Sequence, residues 1–257
     1  MTPSTWVLLR GLARGRDHWG TFAEEFQRSH PDDRVLVLDI PGNGHLSAMT
    51  SPASVQAMVE SLRGQLAATA CQLPLMLVGL SMGGMIATAW ARSAPQEVQG
   101  LILINSSMRP FSWPWERLRP SALGVLLKML LSVGDARRWE QGVHFLTTRL
   151  AGTEVVDEWV VLRQRNAPAL RNVLRQLWAA MLFRAGEGAP ETPVLVLAAR
   201  HDGLVSFRCS ERIALAWKST FRLHDHAGHD LPLDAPQWVI QSIHEWRASG
   251  VTKNSWK

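Results

Sequence analysis

Apolar residues in this chain fall into short unbroken runs separated by longer amphipathic stretches. The runs are Thr5–Leu9 (TWVLL), Val35–Ile40 (VLVLDI), Leu75–Val78, Gly100–Ile104 (GLILI), Pro193–Ala198 (PVLVLA) and the shorter Thr220–Leu223. Such runs predict strands buried on both faces. Between them, Asp17–Ser29 carries Trp19, Phe22 and Phe26 at helical spacing, and Ser54–Thr69 does the same with Val55, Met58, Val59, Leu62 and Leu66. Helices are also predicted from Gly84, over Cys209–Trp217 and over Ala235–Ala248. Pro41-Gly42-Asn43-Gly44 reads as a turn. Strands alternating with helices predict an α/β fold, a parallel sheet covered on both faces.

The alternation stops after Ser107. Four amphipathic segments follow, Trp115–Val133, Asp135–Leu150, Glu154–Arg165 and Pro168–Arg184, punctuated by Pro114, Pro120, Gly134, Gly152 and Pro168. The expected organisation is a core over residues 1–107, an all-helical insertion over 108–189, the rest of the core over 190–248 and a polar tail over 249–257. The insertion holds Trp113, Trp115, Trp139, Trp159 and Trp178. At helical spacing most of these are expected in the interior, with a minority lining a cavity.

Charge adds one asymmetry. Of 27 Lys/Arg and 22 Asp/Glu, residues 108–189 hold 12 and 7, and the rest of the chain is balanced. All of the net charge of +5 therefore sits in the insertion. No basic run or reader motif suggests nucleic acid. No apolar run approaches the roughly 18–20 residues of a membrane span. Trp6–Leu9 is too short for a signal-peptide core. Cys71 and Cys209 form no disulfide framework or metal pattern. The expectation is a cytoplasmic protein with free thiols, no metal and no cofactor.

The chemistry concentrates at Gly79-Leu80-Ser81-Met82-Gly83, a Gly-x-Ser-x-Gly pattern between an apolar run and a helix. A serine on a sharp strand-to-helix turn projects its oxygen from the sheet edge, and small residues two places either side let the turn close. The helix start aims its N–H groups where an oxyanion would form. Serine needs a base, and the base needs an orienting group. Asp202, just past the fifth run, is the favoured acid over Asp225 and Asp230. His229, which follows Ala227-Gly228 and precedes the last helix, is the favoured base over His224 and His226.

The order Ser81, Asp202, His229 is that of the α/β-hydrolase fold, and the chain resembles that superfamily over nearly its whole length. GLSMGG, DIPGNGHLS, AARHDGLV and AGHDLPLDAP carry the resemblance. It implies a mostly parallel six-stranded sheet in the order 2-1-3-4-5-6, flanked by helices, with the insertion as a helical lid. It also implies that the backbone N–H groups of Met82 and Leu12 form the oxyanion hole, with Gly11 and Gly15 freeing the loop to turn. Where the family has His-Gly, this chain has Arg10-Gly11. Arg10 is read either as holding the loop through carbonyl contacts or as adding charge for an acidic substrate.

The basic insertion resembles that of the pimeloyl-carrier-protein methyl ester esterases of biotin synthesis. Lid arginines in that group receive an acidic acyl carrier protein. The candidates here are Arg137, Arg138, Arg149, Arg163, Arg165, Arg171 and Arg175. The expected activity is serine carboxylesterase action on a small-molecule ester with a short-to-medium acyl chain. Acyl transfer, carbon–carbon cleavage or lyase chemistry at the same triad is one alternative. A ligand-binding receptor on a hydrolase scaffold is another.

Overall fold

The computed structural model describes residues 3–69 and 71–250; most of the expected polar tail, residues 251–257, lies outside them. Six strands form one sheet: β1 Thr5–Leu9, β2 Arg34–Leu38, β3 Leu75–Leu80, β4 Val98–Ile104, β5 Val194–Ala199 and β6 Thr220–His224. Their order is β2-β1-β3-β4-β5-β6, and every pairing is parallel. The predicted sheet is the observed one.

The helices are α1 Phe22–Ser29, α2 Val55–Ala67, α3 Met82–Ser93, α4 Pro114–Arg117, α5 Leu123–Leu131, α6 Ala136–Thr147, α7 Val155–Asn166, α8 Leu170–Leu182, α9 Phe207–Trp217, α10 Leu231–Asp234 and α11 Pro236–Ala248. Alternate strand residues face two cores. Val7 and Leu9 join α2, α3 and α9 on one side. Trp6 and Leu8 join α1 and α11 on the other. β1, β3 and β5 are buried along their whole length, which is why they read as continuous apolar runs, while the edge strands β2 and β6 are half-buried.

Two predicted helices break and a third starts late. Asp17–Ser29 divides into a 3-10 turn, Arg16–Trp19, and α1, because Gly20 between them sits at φ 51°. Trp115–Val133 divides into α4, a 3-10 turn at Pro120–Ala122 and α5, with Pro120 taking the first position of a new turn. Ala235–Ala248 begins one residue late, at Pro236, after the separate turn α10.

Helices α4 to α8 lie between β4 and β5. The insertion is pinned at its base by a parallel bridge between Arg109 and Arg184. Its tryptophans correct the expectation of interior packing. Trp159 is buried, but Trp113, Trp115 and Trp178 are 59%, 58% and 54% exposed. Trp113 and Trp115 flank Pro114 in a helix too short to own a buried face, and their rings stack at 5.3 Å. Trp178 belongs to α8, which turns its polar side inward. Asn172 and Gln176 are fully buried there, while Leu174, Trp178 and Met181 are exposed.

Candidate active site

Ser81 ends β3 and precedes α3 with φ 57° and ψ −117°, a conformation that side-chain-bearing residues rarely adopt. Its N–H donates to the Ile104 carbonyl at 2.8 Å, and its carbonyl accepts from Ser106 Oγ at 2.8 Å. The turn is thus clamped to the end of β4. Its glycines are there for close approach. A side chain at Gly83 would collide with the Leu9 carbonyl, and one at Gly79 with the Gly83 carbonyl. The serine sits at the positive end of α3, where the first helical N–H groups have no partner within the helix.

Asp202 and His229 are brought together. His229 Nδ1 lies 2.6 Å from Asp202 Oδ2, and both side chains are buried. The other oxygen, Oδ1, accepts from the N–H groups of Leu204 at 2.8 Å and Val205 at 2.9 Å. The carboxylate is therefore fixed by its own loop and presents one oxygen to the ring. With Nδ1 given to Asp202, Nε2 makes no hydrogen bond among the described residues. Burial is the largest influence on His229 and pushes its pKa down. The charge and hydrogen bond of Asp202, helped by Asp230, outweigh that, so the pKa is raised.

The competing groups are engaged elsewhere. Asp225 accepts from Arg200 Nε at 2.9 Å. His226 is exposed, and His224 Nδ1 accepts from the N–H groups of His226 and Ala227. Asp230 pairs with Arg10, with Nη1–Oδ1 at 3.0 Å and Nη2–Oδ2 at 2.6 Å. Both readings of Arg10 are corrected. It is buried and bound to a carboxylate, so it neither holds the loop through carbonyls nor offers a free charge to substrate.

The loop after β1 lies against the serine. A Cβ at Gly11 would stand 3.2 Å from Ser81 Cβ, so Gly11 serves close approach; the left-handed residue of the loop is Ala13, at φ 58°. Among the described residues no hydrogen bond engages the Leu12 N–H. The Ala13 N–H donates to Gln176 Oε1 at 2.9 Å, and Gln176 Nε2 donates to Asn43 Oδ1 at 2.7 Å. Arg14 pairs at 2.7 Å with Glu140 of α6, a carboxylate also 3.7 Å from Arg163 of α7.

Three residues beyond the sequence reading shape the site. Asn105, at φ 45°, donates from Nδ2 to the carbonyls of His229 at 2.8 Å and Gly228 at 3.2 Å, and accepts from the Ala199 N–H at 2.8 Å. An asparagine just past a strand, tolerant of the left-handed region, was the available signal. Asp234 accepts from the N–H groups of Gly228 at 2.7 Å, Arg149 at 2.8 Å, Ala151 at 3.0 Å and Leu150 at 3.1 Å. It joins the base loop to the end of α6. Gln176 is the third, and no local pattern marks it.

The seven candidate arginines divide. Arg137 and Arg138 are exposed, paired at 2.7 Å with Asp157 and at 3.2 Å with Asp135. Arg165 and Arg171 are exposed. Arg175 is exposed but donates from Nε to the Ser51 carbonyl at 2.5 Å. Arg149 turns back on the Phe145 and Thr148 carbonyls at 2.6 and 2.7 Å. Arg163 stacks 4.3 Å over Trp139 with its charge toward buried Glu140, so it is spent inside the insertion. Among the described residues no three His, Cys, Asp or Glu side chains gather as a metal site, and no helix is long and apolar enough to cross a membrane.

Residues 7–236 match the family model of the alpha/beta hydrolase fold. The chain is 27% identical over 248 residues to a pimeloyl-[acyl-carrier protein] methyl ester esterase of Nitrosomonas europaea, covering 91% of this chain and 92% of that one. A second protein of that name, from Serratia marcescens, is 29% identical over 253 residues, with 95% and 93% covered. A solved thermophilic esterase from Thermogutta terrifontis superposes with a TM-score of 0.70 at 25% identity, over 98% of this chain and 92% of that one. With its serine turn, buried acid–base pair and parallel sheet in one frame, this chain belongs to the α/β-hydrolase fold family.

Proposed function

We propose that the protein is a carboxylic ester hydrolase working through an acyl-enzyme on Ser81. Ser81 Oγ attacks the ester carbonyl while His229 Nε2 takes its proton. The C–O bond to the alcohol then breaks, and His229 returns the proton to the leaving alkoxide. Water, deprotonated by His229, adds to the acyl-enzyme and releases the acid with Ser81 restored. Asp202 holds the imidazole tautomer. The N–H groups of Met82 and Leu12 receive the oxyanion, and losing one such donor costs about 3 kcal/mol of transition-state stabilisation.

The observation that carries this reading is the strained backbone of Ser81, held at φ 57° at the start of α3. Strain of that kind persists only where the surroundings enforce it, and a serine held so at the end of a strand is what the proposed nucleophile requires. Hydrolysis of p-nitrophenyl acetate should fall to background in Ser81→Ala with its fold intact. Undiminished hydrolysis would remove the reading.

The finer reading is a carrier-linked methyl ester as substrate. The relatives' names support it, as does the basic insertion, residues 108–189, read as a lid. Exposed Leu174 and Trp178 leave apolar surface on the same helix as exposed Arg171. Arg165 and Arg171, exposed and without an ion pair among the described residues, are the arginines best placed to meet an acidic carrier, ahead of Arg137 and Arg138, which pair with Asp157 and Asp135, and of Arg175, which bonds the Ser51 carbonyl. Arg149 and Arg163 are committed within the fold.

A further inference from the structure

Arg10 and Asp230 stand 220 residues apart in sequence and form a two-pronged ion pair in which both residues are 3% exposed. Each is next to a group of the proposed chemistry. Arg10 ends the connection from β1 and leads directly into Gly11-Leu12, while Asp230 follows His229. The guanidinium stands 5.0 Å over the Trp19 ring, and the Asp230 N–H donates to the Thr147 carbonyl at 2.8 Å. The backbone of Asp230 is therefore held by the end of α6 and the guanidinium of Arg10 by the 3-10 turn before α1. Arg10 Nε is buried without a hydrogen-bond partner among the described residues.

As a stabilising device this is a poor choice. An apolar pair of equal volume commonly serves a fold as well as a buried ion pair, and an unpartnered buried N–H adds a further cost. What the planar fork provides is geometry, since two parallel bonds fix distance and orientation together. We propose that Arg10 and Asp230 are positioning residues that lock the loop carrying the Leu12 N–H to the loop carrying His229, so that oxyanion donor and base share one rigid frame. The proposal rests on the serine-hydrolase reading above.

Charge follows from the same geometry. The groups facing His229 are Asp202 from the loop after β5, Asp230 beside it and Arg10 from the loop after β1. Asp234 and the Arg149 stem line the Gly228 side, and Arg119 reaches the Asp202 carbonyl at 2.6 Å. Asp230 favours the imidazolium and Arg10 opposes it, so the pair moderates the basicity of His229 while holding its place.

The test compares Arg10→Lys, Arg10→Met and Arg10→Met/Asp230→Leu with wild type on p-nitrophenyl acetate across pH. Rates are counted per active site titrated with a fluorophosphonate, and a Ser81→Ala arm runs alongside. Arg10→Lys keeps the charge and loses the fork, and kcat per site should fall roughly 10- to 100-fold with KM within about two-fold. Arg10→Met should move the acid limb of kcat/KM to higher pH, and the double variant should return the limb to its wild-type position without restoring kcat. Wild-type kcat per site in Arg10→Lys, or in the folded double variant, would overturn the proposal. Turnover surviving in Ser81→Ala would instead overturn the serine reading on which it stands.

Discussion

At the scale of single residues, the site works by opposing burial with charge. His229 is enclosed, which disfavours its cation, yet the Asp202 carboxylate at 2.6 Å keeps its pKa raised. As the proposed base, His229 would act only when neutral, so below that pKa activity should fall about tenfold per pH unit. A raised pKa therefore places the acid limb of kcat/KM above the ordinary histidine value of about 6.5. Asp202→Asn should shift that limb to lower pH and reduce kcat on the order of 10³- to 10⁴-fold, as loss of the tautomer-holding acid does in triad enzymes. An unshifted limb would deny Asp202 its role. The turn at Ser81 and the meeting of Asp202 with His229 were legible because each residue sits in a turn whose neighbours are marked by Gly or Ala; their catalytic roles are the proposal. Arg10 and Asp230 were not legible as a pair. Nothing local in the chain says that a basic and an acidic residue so far apart will meet in the interior.

At the scale of elements, the central strands were legible for a simple reason: both sheet faces are covered there, so β1, β3, β4 and β5 are apolar runs, while the half-buried edge strand β6 gave the weakest signal. Helix α8 shows where that logic stops. Its apolar stripe predicts the inward face, yet it docks through Asn172 and Gln176. Asn172 gives Nδ2 to the Met49 carbonyl at 2.9 Å and accepts from the Ser51 N–H at 3.0 Å. These amides answer backbone groups of core loops that would otherwise be buried and unpaired, which costs more than exposing leucines. Gln176→Ala should accordingly release the Ala13 N–H, loosen the loop beside Ser81 and lower kcat about tenfold while KM changes little. Steady-state kinetics on a free ester check this, and an unchanged kcat would assign Gln176 to docking alone. The serine turn itself tolerates less. Gly83→Ala drives a methyl into the Leu9 carbonyl, and overpacking there should cost about 1–3 kcal/mol in urea denaturation together with most of the activity.

At the scale of the whole molecule, a neutral scaffold carries a basic insertion. The insertion reaches the site through several contacts, among them Arg14 to Glu140, Ala13 to Gln176, Asp234 to the end of α6, Asp230 to Thr147 and Arg119 to the Asp202 carbonyl. Substrate delivered to these helices meets the loops that would hold the oxyanion and the base. If an acidic carrier docks there, reversing Arg165 and Arg171 to Glu should raise KM for a carrier-linked methyl ester far more than for the free methyl ester. Raising salt from low ionic strength to 0.5 M should do the same, because exposed charges are screened over about 10 Å at 0.1 M. Equal effects on both esters would remove the carrier and leave a small-molecule esterase. The surface distribution of those arginines was legible only in sum: the sequence placed the excess charge in one segment, but contacts decide which arginines are free.

The proposed chemistry requires a covalent bond to one oxygen. The protein is quenched in acid during turnover of a slowly deacylating ester and digested, and the peptides are weighed. The acyl mass should appear on the peptide containing Ser81, build up with the kinetics of the burst, and be missing from Ser81→Ala. An acyl group on another residue, or full turnover with no adduct at any time point, would contradict it.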